Sequence, residues 1–409
     1  MKLWYVTMVF PTPSETFLST EVEALRSLGV NVSVHAMGPP RSDASELIAE
    51  RHQRVMEVTH GDLRNVLASI VNCVLHPLLV ASLMRLIFRW ARHQPRHVLV
   101  SLCLIPRTVQ LFLLAKRERP DVIHLYWGHY PSLLGHLILQ HLPSIVLSLS
   151  LSAYDLRSHY GCSIPVARQA DLVRTWARVN VDEIKSMGVS PDRIGVFYQP
   201  LDCARHADAT KVSKVKGRVV SAGRLIPEKG MTDVLAVFRQ LVHEWPQSTL
   251  VILGDGPERS RLEQQVERWE LDEVVSFQGH IPHERVLAEM ASADVFLFMS
   301  YHDAERLPNV VKEAIAVRCL CIVSETPGIE ELVVDGESGF IVPQRDIEQA
   351  VSRLRSVFSS ADESKAMTAM AFERLHENFD SDSVVRSMIG RWEKLRASKS
   401  GEEYLPGAQ

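Results

Sequence analysis

The sequence predicts an α/β protein of two Rossmann-like domains, and three observations carry that expectation. Short β-rich runs alternate with helix-period patterns from one end to the other, as repeated βα units around parallel sheets require. The 409 residues exceed one ordinary domain and suit two of roughly 200 residues each. Polar linker-like sequence separates two halves that each follow this scheme, so the economical architecture is two sheets facing each other across a cleft. In open α/β sheets, ligands collect outside the carboxyl ends of the strands.

In the first half the strand candidates are Leu3–Phe10, Asn31–Met37, Val122–Trp127, Ser144–Ser150, Asp171–Ala177 and Ile194–Tyr198, with helical periodicity over Phe17–Leu28, Arg107–Arg117 and Ser132–His141. The second half offers strands at Arg218–Ala222, Thr249–Leu253, Val274–Gln278, Val295–Met299, Leu320–Ser324 and Phe340–Val342. Its helices should run through Thr232–Glu244, Arg259–Glu270, His283–Ser292, Asn309–Val317 and Asp346–Phe358. The domain boundaries follow: 1–199, a polar linker over 200–216, a second domain over 217–380, a last helix over 381–396 and a disordered tail over 397–409.

Composition narrows the function classes. With 46% apolar and 23% charged residues and a net charge of -4, the chain reads as globular and soluble, and not as a protein built to grip nucleic acid. Its six cysteines are scattered (Cys73, Cys103, Cys162, Cys203, Cys319, Cys321) without a CxxC pair, which implies reduced thiols and a cytoplasmic setting and no zinc site. Cys319 and Cys321 sit in an apolar run and read as core positions of a strand. Met1 leads into an apolar run without a basic n-region or cleavage site, so no signal peptide is expected.

The charge is uneven. Residues 1–200 carry 20 Lys and Arg against 15 Asp and Glu, and residues 201–409 carry 25 against 34. Between 64 and 119 lie nine basic residues (Arg64, Arg85, Arg89, Arg92, Arg96, Arg107, Lys116, Arg117, Arg119) and the single acid Glu118. Basic residues interleaved with Leu, Ile and Phe suit a peripheral contact with an anionic membrane at the inner face of the cell membrane. Amphipathic helices with solvated arginines fit the same pattern. The uncharged run Asn65–Met84 reaches spanning length, but Asn72, His76 and Pro77 within it argue against a span.

The most informative stretch is GRLIPEKG, Gly223 to Gly230, between the strand GRVVSA and a helix starting near Met231. It holds Arg224 and Lys229 at a strand's carboxyl end beside a helix N-terminus, where two fixed cations and free backbone N–H groups suit a diphosphate. The second stretch is ERLPNVVKEA, Glu305 to Ala314, after VFLFMS. Glu305 falls on the loop, Pro308 suits the first helical turn, and Glu313 lies in the second turn. Two carboxylates so placed can address two hydroxyl-bearing parts of one ligand. Gly254–Asp255–Gly256 after TLVIL is by itself a weak signal, because glycines at strand ends often only make tight turns.

In the order GRLIPEKG, GDGPER, FQGHI, ADVFLFMS, ERLPNVVKEA and TPGIEELVVDGESGFIV, residues 218–392 resemble glycosyltransferase family 4, the retaining nucleotide-sugar enzymes of GT-B fold. FPTPSETFLSTEVEALRSLGV and VIHLYWGHYPS in the first half resemble the branch that assembles exopolysaccharide, capsule or O-antigen. The resemblance implies two Rossmann-like domains with the C-terminal helix returning toward the first. It implies that Arg224 and Lys229 hold and stabilise the leaving diphosphate, that Glu305 faces the donor hexose, and that Glu313 binds the ribose hydroxyls. Backbone groups of Leu307, Pro308 and Asn309 would meet sugar and phosphate, Ile281 the nucleobase, with Gly223 on the donor loop and Gly328 and Glu330 beside the sugar pocket.

The implied activity is transfer of a hexose from a nucleoside-diphosphate sugar to a glycan or lipid-linked glycan. No catalytic metal or other cofactor is expected, because no Asp-x-Asp follows a strand and Asp380–Ser381–Asp382 reads as the cap of the last helix. Two departures stand out. Ser152 occupies the position of a usual histidine ahead of Asp155 on the acceptor or sugar side, and Arg306 replaces a usual glycine, so an acidic donor sugar pairing with Arg306 is one expectation. Tyr126 and Trp127 could stack on a sugar or pack beneath it. His124, His129, His136, His141 and His159 lack metal-ligand spacing and read as core or cleft residues. A degenerate GT-B protein that binds nucleotide and scaffolds a partner transferase is the alternative, and a nucleotide-sugar 2-epimerase finds no support in these blocks.

Overall fold

Continuous apolar runs such as TLVIL and VFLF have no polar face, so each must be covered on both sides, and both become inner strands of a parallel sheet. The computed structural model describes residues 1–12, 16–42, 44, 58–61, 63–158, 160–203 and 212–401. The chain divides into two units, Met1–Pro200 with Ser381–Gln409, and Leu201–Asp380.

The first unit contains β1 (Lys2–Thr7), β2 (Asn31–Ala36), β3 (Val58–Thr59), β4 (Val122–Leu125), β5 (Val146–Ser150), β6 (Leu172–Thr175) and β7 (Ile194–Val196). They pair in parallel in the order β3-β2-β1-β4-β5-β6-β7. The connection direction therefore reverses between β1 and β4. Helices α1 (Thr16–Ser27), α2 (Leu63–Leu75), α3 (Pro77–Trp90), α4 (Pro95–Glu118), α5 (Ser132–His141), α6 (Ala153–Ser158), α7 (Ser163–Ala167) and α8 (Val181–Ser186) accompany this sheet.

The second unit contains β8 (Arg218–Ala222), β9 (Thr249–Leu253), β10 (Val275–Gly279), β11 (Val295–Phe298), β12 (Leu320–Ser324) and β13 (Phe340–Val342), all parallel in the order β10-β9-β8-β11-β12-β13. Here the reversal lies between β8 and β11. Its helices are α9 (Met231–Glu244), α10 (Arg259–Arg268), α11 (His283–Ser292), α12 (Asn309–Ala316), α13 (Ile347–Ser359) and α14 (Ala361–Phe379). Cys319 and Cys321 are buried at β12, and all six thiols are free.

Helix α15 (Ser381–Ser400) returns to the first unit, where Val384, Val385, Met388 and Trp392 are buried with Leu3, Tyr5, Val22 and Leu25. It extends past the predicted end at 396 and into the expected tail. Lys399 explains why, since its ammonium donates to the carbonyls of Pro143 and Ile145 at 2.9 Å each and pairs with Asp171 at 2.6 Å. Residues 402–409 lie outside the described residues.

The linker expectation also changes. Leu201 donates its N–H to Phe379 O at 2.9 Å and bridges Asp380, and Val215 N donates to Ser292 O at 2.8 Å, so both ends of 200–216 beyond Pro200 are fastened to the second unit. Residues 204–211 lie outside the described residues.

The predicted helix Arg107–Arg117 is the last half of α4, which runs through Pro106. Thr108 Oγ1 donates to Leu104 O at 2.9 Å in the turn that the proline interrupts. By length and composition α4 could cross a membrane, yet Ile105, Val109, Leu111, Phe112 and Ala115 are buried in the core of the first unit. The uncharged run Asn65–Met84 is not one helix. Pro77 disfavours helical backbone at the preceding residue, and His76 leaves the helix at φ -126° and ψ 57°. The pair Ser69–Leu75 and Pro77–Trp90 is bent by 97°.

One ionic constraint lies inside the first unit. Arg174 on β6 makes a two-pronged contact with Glu21 of α1 at 2.5 and 2.8 Å, and both side chains are fully buried. Tyr5 donates its hydroxyl to the same carboxylate. Truncating Glu21→Ala leaves the guanidinium buried and unpaired, with an expected loss of about 3–5 kcal/mol in urea unfolding. The apolar pair Glu21→Leu with Arg174→Met should recover most of that loss, because it removes both charges.

Candidate active site

The second unit gathers the predicted donor residues at the carboxyl ends of β8, β10 and β11, two of which flank the sheet's reversal. After β8 the chain makes a 3-10 turn over Pro227–Lys229 and then Gly230 adopts φ 68° to start α9. A Cβ on Gly230 would lie 2.0 Å from Met299 O, so only glycine lets this loop touch the end of β11. Tyr301 N donates to Glu228 O at 2.9 Å and Ser300 Oγ to the same carbonyl at 3.2 Å, tying the two loops together.

Their meeting point is an ion pair. Lys229 Nζ contacts Glu305 Oε2, with side chains 17% and 14% exposed, and the ammonium lies 5.7 Å over the Phe298 ring. Ser300 Oγ donates to the same carboxylate oxygen at 3.4 Å. Arg224, on the same loop as Lys229, is exposed, and among the described residues its side chain makes no ion pair or hydrogen bond. An exposed guanidinium and a tethered ammonium thus share one loop.

Gly223 is held by N–H donation to Leu253 O at 3.0 Å, and a Cβ on Gly254 would meet Gly223 O at 2.0 Å. GDG thus packs its backbone against GRL, the turn role that the sequence allowed. Leu307 and Pro308 are buried; Asn309 opens α12 as expected, with Pro308 at the N-cap and not in the first turn. The first N–H groups of a helix have no acceptor within it, and here they follow directly on the Glu305 loop. Ile281 is half-buried in the segment between β10 and α11.

Glu313 lies in the second turn of α12 as expected, and His283 Nε2, at the first residue of α11, hydrogen-bonds its Oε1 at 3.1 Å. His283 was not singled out from sequence; its only signal was its place two residues after Ile281 at a predicted helix start. Arg306 turns inward on its own loop and donates to Asp303 O at 2.7 Å and Glu305 O at 3.3 Å. That bracing is a role that the acidic-sugar expectation did not foresee. Beside this loop a concavity of about 230 Å³ is lined by Gly230, Thr232, Asp233, Arg261, Tyr301 and Arg345, with Arg345 stacked on Tyr301 at 4.1 Å. Burial raises the pKa of the Asp233 carboxyl there.

In the first unit Asp155 is the hub. It accepts from Gly128 N at 2.9 Å, Ser152 N at 3.0 Å and Ser152 Oγ at 2.8 Å, and His129 Nδ1 stands 3.3 Å away. A histidine does reach this aspartate, but from the loop after β4 and not from position 152. Tyr126 is fully buried against Phe17 and cannot stack on a ligand, whereas Trp127 is half-buried, edge-on to Trp176 at 5.3 Å. His124 is also core: its two ring nitrogens meet Ser148 Oγ at 2.9 Å and Ser150 Oγ at 3.1 Å, and burial holds it well below the usual histidine range. His136 bonds Ser82, His141 packs on Phe112, and His159 lies outside the described residues.

Among the described residues, Cys203, His376 and Asp380 bring possible ligand atoms within 4.8 Å of one another, a grouping that spacing alone did not suggest. Burial, then Asp380 and Asp202, push the Cys203 thiol up to about 12, which opposes the thiolate that a metal would need. No predicted donor residue belongs to this group.

Comparison with known proteins decides the identity of the second unit. Residues 205–374 match the family described as glycosyl transferases group 1. That match lies within the second unit, and it spans 170 of the chain's 409 residues. The chain is 24% identical over 410 residues to a putative colanic acid biosynthesis glycosyltransferase, WcaL, of Salmonella typhimurium, covering 95% of this chain and 98% of the relative. It is 23% identical over 419 residues to the amylovoran biosynthesis glycosyltransferase AmsK of Erwinia amylovora, covering 97% and 100%. Among solved structures, HepE of Anabaena in complex with UDP superposes with a TM-score of 0.70 at 16% identity, over 95% of this chain and 98% of that one. The fold of this glycosyltransferase is therefore GT-B.

One neighbour of the site titrates unusually. Lys312, preceding Glu313, is 1% exposed, and its ammonium lies 5.4 Å over Phe379. Burial lowers its pKa from 10.5 to about 7, against the opposing pull of Glu313. The unfolded chain binds more protons than the folded one between those values, so stability should rise with pH from about 7 to about 10.5. Urea midpoints should climb across that window in the wild type and flatten in Lys312→Met.

Proposed function

We propose that the protein transfers a hexose, with retention of anomeric configuration, from a nucleoside-diphosphate sugar to a glycan or lipid-linked glycan in exopolysaccharide biosynthesis. The observation that carries the reading is the pairing at the β8–β11 reversal, where Lys229 meets Glu305 ahead of the N-terminus of α12 and exposed Arg224 lies on the same loop as Lys229. Two cations and free helix N–H groups make a diphosphate site. Glu313, held by His283, is the ribose acceptor in this reading, and Ile281 meets the base through its main chain. The UDP and UDP-glucose complexes of HepE and the polysaccharide relatives support a nucleotide sugar as donor.

The chemistry follows from charge placement. The bond from the sugar's anomeric carbon to the diphosphate breaks, and the acceptor hydroxyl oxygen forms the new bond on the same face. Its proton passes to the departing diphosphate oxygen. Arg224 and Lys229 stabilise the charge that accumulates on that oxygen, Glu305 orients Lys229 and meets the sugar, and no enzymic nucleophile is needed. In this reading the two side-chain cations do the work that a metal does elsewhere, and transfer is insensitive to chelators.

Thermal melting with UDP, GDP, ADP and dTDP, each with and without EDTA, tests the donor class. Ligand at a hundred times its dissociation constant stabilises by ~2.7 kcal/mol. One base should raise the midpoint, EDTA should not alter the shift, and Glu313→Ala should abolish it. Absence of a shift with every nucleotide would overturn the reading. In a transfer assay Arg224→Ala and Lys229→Ala should each lower kcat by on the order of a hundredfold, or ~3 kcal/mol.

A further inference from the structure

We infer that the bend between α2 and α3 is a docking surface for an anionic lipid bilayer, with aliphatic side chains entering the interface and arginines meeting headgroup phosphates. At the bend Val74, Leu75 and Leu78 are 75%, 67% and 84% exposed, the least covered large apolar side chains among the described residues. Ile70 and Val71 continue the bare surface one turn back on α2, and Met84 and Phe88 continue it along α3. Leu99, in the first turns of α4, is 64% exposed as well. An apolar surface of this extent marks an interaction site and not a random scatter.

Charge selects the occupant. Arg85 and Arg89 lie on the exposed side of α3, Arg92 follows in the turn, and Arg96 opens α4, all four exposed. Among the described residues none of them forms a salt bridge; Arg92 donates only to His93. No Asp or Glu occurs between residues 63 and 117. Arg107, counted with this basic segment on sequence grounds, is excluded, because it is buried and donates to Ala36 O and Thr59 O at 3.0 to 3.1 Å. Lys116 and Arg117 lie at the far end of α4, roughly 30 Å along the helix axis from Arg96. What remains is a bare aliphatic tip followed along α3 and into α4 by four exposed arginines, none of them in a salt bridge among the described residues.

A protein partner would be expected to present aromatic anchors and mixed polar contacts; this tip is aliphatic and its only free charges are positive. A straight span is excluded by the 97° bend. Interfacial elements instead insert their apolar side a short way while basic residues hold the anionic surface. The surface belongs wholly to the first unit, so the inference does not rest on the donor chemistry of the second.

Flotation of the full chain with vesicles tests it. The protein should float with vesicles of phosphatidylcholine mixed with phosphatidylglycerol at low salt, less at high salt, and hardly with phosphatidylcholine alone. Leu75→Glu with Leu78→Glu should stay at the bottom. Arg85→Ala and Arg89→Ala should each lower the partition coefficient about fivefold. These positions are exposed, so each variant should keep the wild-type melting temperature and its nucleotide shift, which separates loss of lipid binding from loss of the glycosyltransferase site. Failure of the wild type to float with anionic vesicles would overturn the inference, as would equal flotation of the leucine variant. A dimer by light scattering that the leucine variant dissociates, without flotation, would assign the surface to a second copy of the chain and overturn it too.

Discussion

The single reversal in each parallel sheet is the constraint on which the rest of the molecule depends. A parallel sheet sends every connection over one of its faces, and the face changes where the strand order reverses. Between β8 and β11 the loops leaving the carboxyl ends therefore diverge. The sequence responds with close backbone approach: Gly230 against Met299 O, Gly254 against Gly223 O and Gly256 against Leu225 O, each too near for a side chain. Those contacts pack the loops after β8, β9 and β11 against one another as one platform. Lys229 and Glu305 meet where the loops after β8 and β11 come together, with Ser300 and Phe298 beside the pair.

An ion pair at this degree of burial is weak evidence for stability, since desolvation offsets much of the attraction. Its value here is positional. Glu305 holds an ammonium at a fixed point, in a partly dry setting where a second anion gains more than it would in water. Arg224, on the same loop, is exposed and makes no ion pair among the described residues, so it is open to the anion that the proposed function calls for. The first unit uses a different device at its own reversal. Asp155 gathers Gly128 N, Ser152 and His129, so the loop after β4 and the start of α6 are fixed by one buried carboxylate. Ser152 and the aspartate form a helix cap in place of the histidine that the resemblance led one to expect there, and His129 brings an imidazole to the same carboxylate from another strand.

The second unit was more legible in the sequence than the first. Its strands are short apolar runs broken by glycine loops, and β8, β9, β12 and β13 begin and end where the pattern changes. In the first unit the two-residue β3 is too short to carry a pattern, and α4 passes through Pro106, a residue that reads as a helix start. The last helix outruns its expected end because Lys399 finds carbonyls 254 and 256 residues away, which no local rule anticipates. At the site, residue types and order were readable but partnerships were not: Lys229 with Glu305 and His283 with Glu313 are 76 and 30 residues apart. Tyr126 shows the converse failure, an aromatic beside candidate site residues that the fold places wholly in the core.

The connection from β3 to β4 gives the sharpest contrast between what the fold requires and what the chain contains. A parallel crossover needs a dozen or more residues, usually with one helix. This one runs from Thr59 to Val122 and contains three, of which α4 alone supplies Ile105, Val109, Leu111 and Phe112 to the core. Helix α3 contributes Leu83, Leu86 and Ile87 on one side and leaves Leu78, Met84 and Phe88 bare on the other. Solvent-facing leucine at the most exposed point of a helix pair gains nothing for folding and costs solubility. Nor does folding require a bend that presents those residues together, or the absence of every acid from the surrounding 55 residues. Extra helices with an apolar outer side and a basic flank are what the inferred lipid surface would require. The reach of an enzyme whose acceptor is carried on a lipid would depend on such a surface, whatever sugar it transfers.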